Sequence, residues 1–239
     1  MNIRWAALAG VALPIVWWPV VLLEGATRPG YDAFRHSVSR LALGEDGWQQ
    51  AALFVITGIL HLLFAYALAT GLPRARLGWI APDLIALRGM IYVLLAVFPT
   101  DPAGVTTPSG MIHRYVGIAG TTAFILACFA VAPRLRQWRG YVAYSLITGL
   151  LVAALGAADL WFTGATGLFA GYAGLIQRMQ FFVMLLWPLR HRTAARPQPG
   201  HDARDGILIH PPARSSVPTS VSSIARVEDA VASDRWLQS

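Results

Sequence analysis

The chain has 239 residues, 56% hydrophobic and only 13% charged, and its formal net charge of +7 comes from arginine alone, because there is no lysine. Average soluble domains carry roughly 25% charged residues. Here the apolar residues come in long runs rather than at amphipathic spacing, which excludes an ordinary soluble domain and names lipid as the solvent. Nor does the basic balance imply nucleic acid, since the arginines sit in short segments between apolar runs and form no single soluble face.

A membrane-crossing helix needs about 20 mostly apolar residues. Six stretches qualify, in order 5–24, 49–71, 78–98, 111–131, 141–161 and 171–189. The first follows Arg4 as a signal peptide would. It is long for one, however, holds Pro14 and Pro19, and reaches Glu24 without a small-x-small cleavage site, so it reads as a retained anchor. The single cysteine, Cys128, lies in the fourth stretch and reads as a thiol facing lipid or a neighbouring helix. No disulfide within the chain and no Cys/His zinc spacing is available to it.

Arginine placement sets the direction, because cytoplasmic loops carry the excess of basic residues. Arg4, Arg74, Arg76, Arg134, Arg136, Arg139, Arg190, Arg192 and Arg196 fall on one side of the six stretches. Opposite them, Arg28, Arg35 and Arg40 are offset by Asp32, Glu45 and Asp46, and the 99–110 and 162–170 loops hold no arginine. Trp5, Trp48, Trp79, Trp138, Trp161 and Trp187 lie at or near predicted span ends, as headgroup-layer aromatics do. Gly149, Ala153 and Gly156 in span five, with Gly117 and Gly120 in span four, predict close helix approach.

The expected fold is all-α: a six-helix transmembrane bundle over residues 1–190 of a multi-pass protein of the cell membrane, with both termini cytoplasmic. Residues 191–239, with Pro197, Pro199, Pro211, Pro212, Pro218 and many serines, read as a flexible cytoplasmic tail. Within it Val221, Ile224, Val227 and Val231 recur at helical spacing, so 221–237 reads either as a short amphipathic helix or as an unstructured tail.

Each ionisable side chain in a bilayer costs roughly 2.5–3.5 kcal/mol on insertion scales and asks for a reason. With this orientation Asp159 lies near the outer end of span five, and Arg178 roughly 10 Å below the outer end of span six. His113 opens span four, Asp101 follows span three, and Ser39 sits in the first outer loop. These residues predict an outward-facing polar pocket for a small polar ligand or a lipid head group, Arg178 and Asp159 forming its floor and His113, Asp101 and Ser39 its rim. A purely structural reading pairs Arg178 with Asp159 and leaves the loops as caps.

Asp83 and Arg88 in span three are five residues apart, turned about 140° from each other, and predict separate neighbours or snorkelling. His61 lacks a second histidine at its depth for haem and reads as a hydrogen-bonding residue packed between helices. Two further functions are compatible with these residues. His36, His113, Asp101 and Asp159 are acceptable zinc ligand types, with Ser37 or Ser39 to assist, so a membrane hydrolase is one, although no HxxxH or HExxH pair is present. A small transporter is the second, without an evident inverted repeat. Membrane lipids are the expected partners. No metal and no cofactor is indicated, and the residues do not specify protein partners or oligomeric state.

The stretches HSVSRLALG, FPTDPAG, SGMIHRYVG and GLIQRMQFFVMLLW, in this order, resemble the Domain of Unknown Function 998 family over about residues 5–190. The resemblance implies a prokaryotic six-helix membrane protein without an established activity, with Ser39, Pro99, Asp101, His113, Gly174 and Arg178 at the motif positions. Gln177 stands where many members of the family have an acidic residue, so Asp159 would have to supply any acid that Arg178 needs.

Overall fold

The computed structural model describes residues 3–71, 79–136, 140–162 and 171–194. Its regular secondary structure is helical: α1 (Ile3–Thr27), α2 (Gly47–Gly71), α3 (Ile80–Val97), α4 (Pro108–Ala130), α5 (Tyr141–Phe162) and α6 (Ala173–Ala194), with short 3-10 turns at Val38–Ala42 and Ala132–Leu135. Apolar surroundings favour helices because each backbone group is satisfied within its own segment. Five helices are long and apolar enough to cross a membrane: Ala6–Thr27 of α1, Gly47–Gly71, Ile80–Val97, Pro108–Ala130 and Tyr141–Trp161. In α6, Gln177, Arg178 and Gln180 crowd the first two turns and dilute its apolar character.

Each helix packs on the next in sequence, and α6 returns to α1, closing a ring. Sequential up-and-down packing gathers the C-terminal ends of α1, α3 and α5 with the N-terminal ends of α2, α4 and α6, here called the loop end. One core cluster joins Phe64, Phe124, Met184 and Trp187, and a second, toward the loop end, joins Trp17, Leu41, Phe54 and Tyr92.

Small residues set the closest approaches, though not all at the expected places. A Cβ on Gly58 of α2 would lie 2.6 Å from the Gly89 carbonyl of α3, and one on Gly89 would lie 2.8 Å from that of Gly58. Gly120 meets Ile91 and Gly149 meets Cys128, as expected of packing glycines, whereas Gly117 has nothing within 4 Å of its Cβ position. Gly117 faces a cavity, not a helix.

Trp187 also departs from expectation. It is 0% exposed, stacked edge-on against Phe64 and Phe124, and its indole N–H donates to Ser145 Oγ at 2.9 Å. Because α6 continues to Ala194, Trp187 lies inside the helix and not at its end. Trp48, Trp79 and Trp161 are exposed at helix ends. The side chain of Trp5, all of Trp138, and the tail with its 221–237 segment lie outside the described residues.

Candidate functional site

The loop end is built from two interlocked pairs of segments. In the first, the stretch after α3 folds under the start of α4. Asp101 accepts from the Thr107 N–H at 3.0 Å and from its hydroxyl at 2.6 Å. Thr107 in turn caps α4, its Oγ1 accepting from the Gly110 N–H at 3.1 Å, with Pro108 in the first turn. Ser109 donates to the Pro99 carbonyl, and His113 Nδ1 lies 2.7 Å from the carbonyl of Phe98. A carbonyl only accepts, so that nitrogen carries the hydrogen, and Nε2 is the acceptor of the neutral ring. The two hydrogen bonds from Thr107 hold the Asp101 carboxyl below its ordinary value of 3.8.

In the second pair, α6 grips the loop between α1 and α2. Arg178 Nη1 donates to the carbonyls of Ala33 at 2.6 Å, His36 at 3.1 Å and Gly174 at 3.1 Å, and Nη2 donates to the Tyr31 hydroxyl at 2.6 Å. Gln177 Oε1 accepts from the Val38 N–H at 2.6 Å, and the Leu175 N–H donates to Phe34 O at 3.0 Å. Gly174 is needed because the main chain of Ala33 and His36 passes where a Cβ would stand. Burial pushes the Tyr31 phenol above its ordinary value, with Arg178 opposing part of the rise, so the hydroxyl stays protonated. Arg28 completes the loop, donating to the carbonyls of Leu43 and Leu41 at 2.9 and 3.0 Å.

Between α3, α4, α5 and α6, beneath this rim, lies a cavity of about 780 Å³. Ser39, Asp101, His113 and Asp159 all line it, so four of the five residues singled out in the sequence converge. Arg178 does not. The guanidinium expected on the floor is instead the clamp of the first loop, satisfied by main-chain carbonyls and a phenol rather than by Asp159. Gln177 fills its position by accepting a hydrogen bond, a task that needs no charge.

Two arginines border the cavity: Arg114, which is exposed, and Arg88, which is only 3% exposed. Its Nη1 donates to the Gly120 carbonyl at 2.8 Å and its Nη2 to Tyr92 Oη at 2.9 Å, while the Tyr92 and Phe124 rings cover it at 5.0 and 5.2 Å. Nine residues before the end of α3, it sits roughly 13 Å below the loop end. Asp83 is exposed, so the two do face different surroundings, but Arg88 turns inward and does not snorkel. The sequence does carry a signal for it: an intramembrane arginine with a tyrosine one helical turn on.

His61 Nδ1 donates to the Thr57 carbonyl, 2.8 Å away, and its ring lies tilted against that of Tyr92, as a histidine packed between helices does. His36 stands outside the cavity, its Nδ1 accepting from the Asp32 N–H. Among the described residues no three His, Cys, Asp or Glu side chains are grouped closely enough to hold a metal ion.

Fold and rim together define a multi-pass helical membrane protein with a cavity let into one end of the bundle. A family model described as "Protein of unknown function (DUF998)" matches residues 11–191, and the chain belongs to that family. No curated protein and no solved structure matches the chain. The matched range spans all the segments that interlock at the loop end.

Proposed function

We propose that the protein is a membrane-embedded binding protein whose cavity takes the polar part of an amphiphilic ligand, such as a lipid head group. In this reading α6 is the sixth span, the loop end faces outward and both termini are cytoplasmic, as the arginine distribution favours. The observation that carries it is the cavity itself, whose size falls within the range of small-molecule sites, roughly 300–1,000 Å³. Its walls mix aromatic and aliphatic side chains such as Phe54, Ile91 and Phe181 with a few polar groups such as His113, Thr121 and Gln180.

Gly117 offers a direct test, because its Cβ position is open and borders the cavity. Wild-type protein purified in a neutral detergent is expected to retain an amphiphile identifiable by mass spectrometry of its extract, and Gly117→Phe is expected to lose it. Identical extracts from both proteins would contradict the reading.

A further inference from the structure

We infer that the ligand is an anion whose phosphate or carboxylate is held by Arg88. This rests on the reading of the cavity as a ligand site and assigns its chemistry. A buried guanidinium always carries its charge. Its acceptors here, a main-chain carbonyl and a phenol oxygen, are neutral, and aromatic faces lower the cost of burial without cancelling the charge. The Nε N–H has no partner, and among the described residues no carboxylate pairs with Arg88. A charge left uncompensated in a low-dielectric interior is costly. An oxyanion entering the adjoining cavity would remove that cost.

Of the acids on the wall, Asp101 is already engaged, since both its oxygens accept from Thr107. Neutral donors share the cavity with the guanidinium: Thr121, and the amide of Gln177, whose oxygen is already used by Val38. Hydrogen bonds between such donors and an ionised oxygen are about twice as strong as neutral ones.

The anion is best supplied by an amphiphile. Helices α4 and α5 touch at the end away from the loops, where Ser145 Oγ donates to the Cys128 carbonyl at 2.9 Å. Toward the loop end the cavity lies between them, lined by Gly117 and Thr121 on α4 and by Gly156 and Leu160 on α5. Leu160 is 48% exposed and Trp161 is 78% exposed, and both also border the cavity, so the site reaches the apolar surface of the bundle. A head group can lie inward against Arg88 while its chain leaves between α4 and α5.

The test uses the full chain in dodecyl maltoside, titrated with 1-oleoyl lysophosphatidate, with uncharged monoolein and with inorganic phosphate. Lysophosphatidate is expected to bind more tightly than monoolein, and Arg88→Gln is expected to weaken it roughly tenfold or more while leaving monoolein unchanged. Phosphate binding that Arg88→Gln abolishes, without a preference for lysophosphatidate, would support the anion site and assign it to a free ion. Equal binding of lysophosphatidate and monoolein, unaffected by Arg88→Gln, would overturn the anion inference and leave the cavity reading intact. Failure of all three to bind wild-type protein would overturn it as well. Should Arg88→Gln not fold, Arg88→Lys keeps the charge and loses the planar fork; it is expected to weaken lysophosphatidate several-fold, and unchanged affinity would contradict the inference.

Discussion

The carboxylate of Asp101 occupies the space that a Cβ at position 110 would need, so Gly110 is small for the sake of a side chain in the preceding loop. Gly110→Ala therefore sets a methyl group against a carboxylate already fixed by two hydrogen bonds from Thr107. Overpacking of this kind costs about 1–3 kcal/mol. The thermal unfolding midpoint in detergent should fall by several degrees. Gly117→Ala is the matched control: with open space at its Cβ and alanine the better helix former by about 1 kcal/mol, its midpoint should hold or rise.

The same carboxylate gives a pH dependence with a defined sign. Its folded value lies below the ordinary 3.8, so the stabilisation it contributes is present above that value and is lost as pH falls through the folded value. Asp101→Asn removes this titration. Wild-type and variant midpoints, measured from pH 7 down to about pH 3, should converge at the acid end. A constant gap across the range would mean that Asp101 is not the titrating group.

Arg178 ties α6 to a loop some 140 residues earlier through main-chain acceptors. Lysine cannot reproduce that fork, because its ammonium presents donors from one point. Both Arg178→Lys and Arg178→Gln should loosen the loop, with Arg178→Gln costing roughly 2–4 kcal/mol for several charge-assisted bonds lost together. The readout is limited proteolysis between residues 31 and 46, expected to be slow in wild type and fast in either variant. Protection equal to wild type would show that Gln177 and Leu175 hold the loop unaided.

At the crossing of α2 and α3, an added methyl at Gly58 would meet backbone rather than a movable side chain. Gly58→Ala must push the two helices apart. A loss of about 1–3 kcal/mol is expected, read as a lower midpoint, and Gly89→Ala should act in the same direction.

How much of this is legible in the sequence follows from what each feature depends on. Helix positions depend on local hydropathy, and all six helices lie where the apolar runs place them, within a few residues. Asp101 and His113 lie beside helix ends, so depth alone brings them to the cavity rim. Arg178 is misplaced by sequence reasoning because its partners are carbonyls of Ala33 and His36, and a carbonyl leaves no mark in a sequence. Arg88 is visible but cannot be placed, because its role depends on the rotation of α3 toward Gly120, which composition does not set. Trp187 looks like a headgroup anchor only while α6 is taken to end near it. Gly58 and Gly89 escape notice because each is a lone glycine whose counterpart lies on another helix.

The most direct measurement is a density map of the protein in lipid nanodiscs, with a rigid binding partner fused to α6 to aid alignment. Elongated density is expected between α4 and α5, its compact end within hydrogen-bond reach of Arg88, roughly 2.7–3.2 Å. A cavity holding only ordered water, or a protein carboxylate closing on Arg88, would contradict an anionic amphiphile as the ligand.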